Sequence, residues 1–355
     1  MGHPYEDLQE TAFWRTAVAE KHSLHISGLW QPRFKIGLDD RIVTAGSCFA
    51  QHFSRALVKR GYSWFNAEPA PKFLSADDAS RFNYGIFSFR TGNIYTARIL
   101  RQWLELAFGA RDPIEEVWEK EGRFYDPLRP VIEPNGFASA DEMLASRETT
   151  LRSIREAVQG TDVFVFTMGL TESWQNSELD YEYALCPETV AGTFDPDRDQ
   201  FENQSFEAIQ ADMAAAIKLL LRENPSIRVM LTVSPVPLTA TASGDHVLVA
   251  TSYSKSVLRA VAGAMRDRFE HVDYFPSYEI ITNAAFGGQF FAPNKRSVVP
   301  EGVDFVMRNF FADQERVFGK NAPAKKARAP RRGKAAPTQD DVRCEEEMLN
   351  AFAQS

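Results

Sequence analysis

No stretch of this 355-residue chain holds the ~18 consecutive apolar residues that a membrane-spanning helix needs, so a membrane span is excluded. Cysteine is scarce. Cys48, Cys186 and Cys344 lie far apart, form no Cys-x-x-Cys pair and share no zinc-type spacing with histidine. That argues against a structural metal and for a reducing, cytoplasmic setting. Residues 1–7 have neither a positive n-region nor an apolar h-region, so no secretory signal is expected. No nucleotide or flavin fingerprint occurs, and no cofactor is expected. Histidine is limited to His3, His22, His25, His52, His246 and His271, which narrows the choice of a general base.

Positive charge is sparse except in one place. Between Lys320 and Thr338 stand seven lysines and arginines and no acid. Taking those seven positives from a net charge of −8 leaves −15 on the rest. An acidic body excludes specific nucleic-acid binding, whereas the basic segment fits weak, salt-sensitive contact with an anionic partner.

What the chain does have is 44% hydrophobic residues in alternating strand and helix patterns. Arg41–Ala45, Asp162–Met168, Arg228–Val233 and His271–Phe275 read as strands, the second and third apolar throughout, as strands buried on both faces are. Helices are expected after Ser47 to near Gly61, over Tyr95–Phe108, from Ser139 or Ser146 toward Val158, and over Phe206–Glu223 and Ser254–Phe269. Residues 5–22 carry apolar positions at helical spacing, with Phe13 and Trp14 as anchors to the body. Residues 111–140 read as an irregular or hairpin insertion. This alternation predicts an α/β fold: a three-layer α/β/α, doubly wound parallel sheet. The expected organisation is an N-terminal arm over 1–40, the sheet domain over 41–313, a disordered basic linker over 314–340 and a short helix over 341–355.

In such sheets the site lies beyond the carboxyl ends of the strands. Gly46-Ser47, Gly169–Glu172, Ser234-Pro235 and Ser277–Glu279 all fall there, which points to one shared site. Ser47 sits on a strand-to-helix turn, where a nucleophile is exposed and negative charge is favoured. It is equally placed to serve as a simple helix cap. Its neighbour Cys48 is the alternative nucleophile.

The run Gly46-Ser47-Cys48-Phe49-Ala50 resembles the GSCFA family, a branch of the SGNH/GDSL hydrolase-like superfamily. The resemblance continues through Ala67–Pro71, Gly92–Thr96, Thr167–Trp174, Ser234–Pro237, Ser254-Lys255 and Tyr274–Glu279. It implies an SGNH/flavodoxin-like fold with Ser47 as nucleophile. It further implies oxyanion donors from the Ser47 amide, from Gly92 with Asn93, and from Gly169 with Thr171 and Glu172. There Thr171 and Glu172 replace the Asn and Asp that the superfamily carries. The superfamily's closing Asp-x-x-His is missing, with Arg296 in the Asp place and Val299 in the His place. His246, in the loop after Pro237, is the expected base, and Glu279 would orient it or bind substrate. Lys255 fits an anion contact. The resemblance therefore implies an acyl-ester hydrolase or acyltransferase acting on a small molecule or on a saccharide or polysaccharide precursor. A catalytically silent ligand-binding protein of the same fold is the alternative.

Overall fold

The computed structural model describes residues 3–321 and 344–353. Continuous apolar sequence can lie only in the middle of a layered structure, and the chain builds that layer piece by piece. Strand β1 (Ile42–Gly46) feeds α1 (Phe49–Lys59), and the short helix α2 (Ala76–Arg81) is capped by Ser75. Helix α3 (Ala97–Ala107) starts at Thr96, whose hydroxyl accepts the Ile99 amide at 3.1 Å. A hairpin of β2 (Trp118–Lys120) and β3 (Arg123–Tyr125) precedes α4 (Ala140–Gly160), which is capped by Ser139. Then come β4 (Val163–Met168), β5 (Glu172–Asn176), β6 (Tyr181–Tyr183) and β7 (Asp199–Asn203). Helix α5 (Phe206–Glu223), β8 (Arg228–Val233), α6 (Val247–Arg268), β9 (Val272–Tyr274) and α7 (Ser277–Thr282) follow. Helix α8 (Pro300–Phe318) has proline in its first turn, where the missing amide is harmless. A 3₁₀ helix, Glu345–Phe352, ends the described chain.

The main sheet is parallel, in the order β1-β4-β8-β9. A single parallel bridge from Trp64 to Ile42 adds a rudimentary strand beyond β1. Counted by parallel segments, the order is 2-1-3-4-5, as in flavodoxin-like sheets. Side chains alternate across the sheet. Phe164, Phe166 and Met168 pack in one cluster with α3–α6, while Val163 and Val165 pack in another with α1, α7 and α8. The three-layer α/β/α expectation is met. A second, antiparallel sheet, β6-β5-β7, stands beside the carboxyl edge of the first.

Several expectations need correction. Residues 5–22 form a 3₁₀ turn (Glu10–Ala12) and a π turn (Arg15–Ala19), and Trp14 is 66% exposed. The arm is held by Trp30, 3% exposed, whose ring stacks on Phe310 and whose amide donates to Asp313 at 2.9 Å. Helix α8 runs on to Phe318, past the boundary placed at 313. Helix α6 begins at Val247, not at Ser254, because His246 caps it. The basic stretch expected to be disordered lies, from 322 to 340, outside the described residues.

Candidate functional site

The strand order reverses between β1 and β4, and the turn after β1 opens at that switch point. Gly46 has φ +132°, and a Cβ there would stand 2.3 Å from the Thr167 carbonyl oxygen. Only glycine lets the two strands meet so closely. This contact sets Ser47 against Gly169, where a Cβ would lie 3.1 Å from the Ser47 Cβ. Ser47 is 2% exposed, and its Oγ has no hydrogen-bond partner among the described residues.

The segment Gly92–Tyr95 closes over this turn. The Ile94 amide donates to the Gly46 carbonyl at 2.8 Å, and the Tyr95 carbonyl accepts the Gly169 and Leu170 amides. Gln51, one turn into α1, donates to the Asn93 Oδ1 at 3.3 Å. That leaves the Asn93 amide and Nδ2 facing outward, and both donate to the Glu345 carboxylate, the amide at 3.3 Å. The Tyr95 hydroxyl donates to the same carboxylate at 3.1 Å. Gly92 has φ +72°, a backbone conformation that favours glycine, and it faces a Glu345 carboxylate oxygen. Three donors on one carboxylate make an anion cradle beside Ser47. Its occupant is the chain's own C-terminal segment. Burial raises the Glu345 pKa, and the bonds from Asn93 and Tyr95 work against that rise.

Lys255, 1% exposed, reaches from α6 and donates to the Gly169 carbonyl at 2.6 Å. Burial lowers its pKa to about 8, against the opposing charge of Glu346. Burial, and then the charge on Cys344, raise Glu346 to about 8. Arg296 spans the mouth, 3.5 Å from the carboxylate of Glu346 and 3.2 Å from that of Glu347. His52 lines a cavity of about 180 Å³ with Cys48, Arg296 and Cys344, and burial lowers its pKa to about 4. A second cavity, about 310 Å³, lies between Leu170, Trp174, Phe201 and Leu238, with Leu349 and Phe352 at its rim.

The structure brings Ser47, Gly169, Gly92 and Asn93 together. Other expected members are engaged elsewhere. The Ser47 amide donates to the Thr167 carbonyl at 3.0 Å, so it completes the β1–β4 ladder instead of serving as a free donor. Thr171 is fully buried. Its hydroxyl donates to Asn203 at 2.7 Å, and its amide donates to the Ser254 hydroxyl. It directly precedes β5. Glu172 accepts from Thr241 at 2.5 Å and from the Ala242 amide, tying down the loop after β8. His246 is exposed, and its Nδ1 accepts the Leu248 amide at 3.1 Å. Glu279 pairs with Arg259 at 2.5 Å and accepts from Tyr274 at 2.7 Å, in a separate groove shared with Trp14 and Trp30. Val299 is the residue before α8. Arg296, Tyr95 and Glu345 were not singled out as individual site residues from sequence. The acidic run Glu345–Glu347 directly before Met348-Leu349 is the one signal that marked the last of these.

No helix among the described residues is long and apolar enough to cross a membrane, and no described group of His, Cys, Asp or Glu could hold a metal ion. Residues 41–310 match the model of the GSCFA family. No curated protein matches the chain, and no solved structure does.

Proposed function

The chain belongs to the GSCFA family, and from that premise we propose that it is an SGNH-like acyl-ester hydrolase or acyltransferase with Ser47 as nucleophile. The observation that carries this reading is the carboxylate of Glu345 held by the Asn93 amide, the Asn93 Nδ2 and the Tyr95 hydroxyl beside Ser47. Donors that converge on a carboxylate there would equally stabilise the oxyanion formed when Ser47 attacks an ester carbonyl. Gly92 and Asn93 keep the role that the family resemblance implies. Gly169 lies against Ser47 and keeps the turn open.

The proton acceptor in this reading is Lys255. A buried lysine near pKa 8 is partly neutral close to neutral pH, as a base for a serine must be. It touches the Gly169 carbonyl, behind the serine. His246 is exposed and capping a helix, which favours Lys255 over it. The cavity of about 310 Å³, walled by Trp174 and Phe201, suits the acyl chain or a sugar ring. A saccharide or polysaccharide precursor remains the proposed acceptor class, from family resemblance.

The reading is tested with small aryl acetates. Ser47→Ala should lower turnover on the order of a thousandfold or more with an unchanged melting temperature. Lys255→Met should lower it as well and remove the acid-side limb, the rise in rate as pH climbs through about 8, from the pH–rate profile. Turnover that survives Ser47→Ala would remove Ser47 from the mechanism. One observation favours a silent binding protein instead, namely that the Ser47 Oγ has no hydrogen-bonded base. Binding of an anionic ligand at Asn93, with no turnover by the wild type, would establish that second reading.

A further inference from the structure

Two of the three cysteines, from distant parts of the chain, meet at this site. Cys48 is buried directly after Ser47, at the start of α1. Cys344 opens the C-terminal segment and lines the same cavity as Cys48. Arg296 donates to the Cys344 sulfur at 3.5 Å, and the Tyr95 hydroxyl lies 4.0 Å from it. That cavity has a volume of about 180 Å³. The third cysteine, Cys186, lies at the other cavity.

We propose that Cys48 and Cys344 are a redox pair, which hydrogen peroxide converts to a disulfide that fastens the C-terminal segment over the Ser47 site. The chemistry needs a thiolate that attacks and a second sulfur that resolves. The hydrogen bond from Cys48 and the charge of Arg296 lower the Cys344 pKa to about 6, and the same bond, then burial, raises Cys48. Cys344 is therefore the attacking thiolate. Its sulfur takes one peroxide oxygen, the O–O bond breaks, and hydroxide leaves as the sulfenic acid forms. The Cys48 sulfur then displaces that hydroxyl, which departs as water with the Cys48 proton. The two sulfurs lose two electrons and the two peroxide oxygens gain them.

The consequence for the site is steric. Glu345 follows Cys344 directly, and its carboxylate fills the Asn93 and Tyr95 cradle. A covalent bond at Cys344 holds it there. Reduction leaves non-covalent contacts, among them the hydrogen bonds and the Arg296 ion pairs, the exposed one with Glu347 being weak. The pairing itself does not depend on the esterase reading, and none of its tests measures turnover.

The experiment treats the reduced full-length protein with stoichiometric hydrogen peroxide. The expected product has lost two hydrogens by intact mass, and peptide mapping joins the Cys48 peptide to the Cys344 peptide while Cys186 stays alkylatable. Cys48→Ser should leave a sulfenic acid on Cys344 that dimedone traps. Cys344→Ser should leave Cys48 reduced under the same exposure. Thermolysin cleavage within 344–353 should slow roughly tenfold in the disulfide form and recover with dithiothreitol. A cross-link to Cys186 or between two chains, or an equal yield in urea-unfolded protein, would overturn the pairing. Unchanged thermolysin cleavage would overturn the fastening of the segment.

Discussion

Gly46, Asn93 and Glu182 carry more of this protein's chemistry than their size suggests. At Gly46 the left-handed backbone and the 2.3 Å approach to Thr167 together exclude any side chain. Gly46→Ala should cost roughly 3 kcal/mol or more, read as a large drop in melting temperature. Asn93 accepts from Gln51 through its Oδ1, and its amide and Nδ2 donate to the Glu345 carboxylate. Glu182 is buried, accepts from Thr96 at 2.5 Å and from Gln204 at 2.9 Å, and burial raises its pKa to about 8. The raised pKa means that the folded state binds a proton which the unfolded state releases above about 4.3. Its contribution to stability is full below that pH and is lost as pH rises toward 8. Glu182→Gln should flatten the fall in stability across that window, measured by urea denaturation at several pH values.

Helix ends and strand ends explain most differences between expectation and observation. Helix α6 starts at Val247 because His246 accepts the Leu248 amide, and the exposed Leu248 and Val249 hide the amphipathic pattern of its first turn. Strand β5 was missed because Glu172–Asn176 is short, polar and only partly buried, so it gives almost no period-2 signal. Helix α8 continues past Asp313 because its last turn holds the N-terminal arm. Gln314 accepts the Ile36 amide at 3.0 Å and donates to the Phe34 carbonyl, and Arg316 donates to the Trp30 carbonyl at 2.6 Å. A chain ended at Asp313 should therefore melt several degrees lower than one ended at Asn321. Equal melting temperatures would show that the arm is held by other contacts.

The described chain has two large apolar layers, and among its buried charges is a cluster that ties loop to helix. Asp126 accepts from Arg129 at 2.8 Å and from Arg147 at 2.7 Å, all three nearly or fully buried. Burial would raise the Asp126 pKa, but the charges of Arg147 and Arg129 outweigh it and lower it. Removing one partner leaves buried guanidinium charge without its counterion. Asp126→Asn should cost about 3–5 kcal/mol in denaturant unfolding. Because the folded pKa is depressed, the wild-type contribution is present above the unfolded carboxylate value of about 3.9 and is lost as pH falls below it. The variant should show less acid sensitivity in that range.

Strands β4 and β8 and helix α5 were legible because their signals are local: unbroken apolar runs and a 3.6-residue period lie within a few turns of chain. The position of Ser47 at a strand end was legible for the same reason, since strand direction and right-handed crossovers fix which loops share an edge. The partners of each polar group were not. Nothing near Thr171 in sequence says that its hydroxyl faces Asn203, or near His246 that its ring caps a helix instead of facing Ser47. Least legible of all was the meeting of Cys48 with Cys344 and of Asn93 with Glu345. Those contacts join segments at opposite ends of the chain, and they form only because the acidic C-terminal segment docks against Arg296, Tyr95 and Lys255 at the switch point of the sheet.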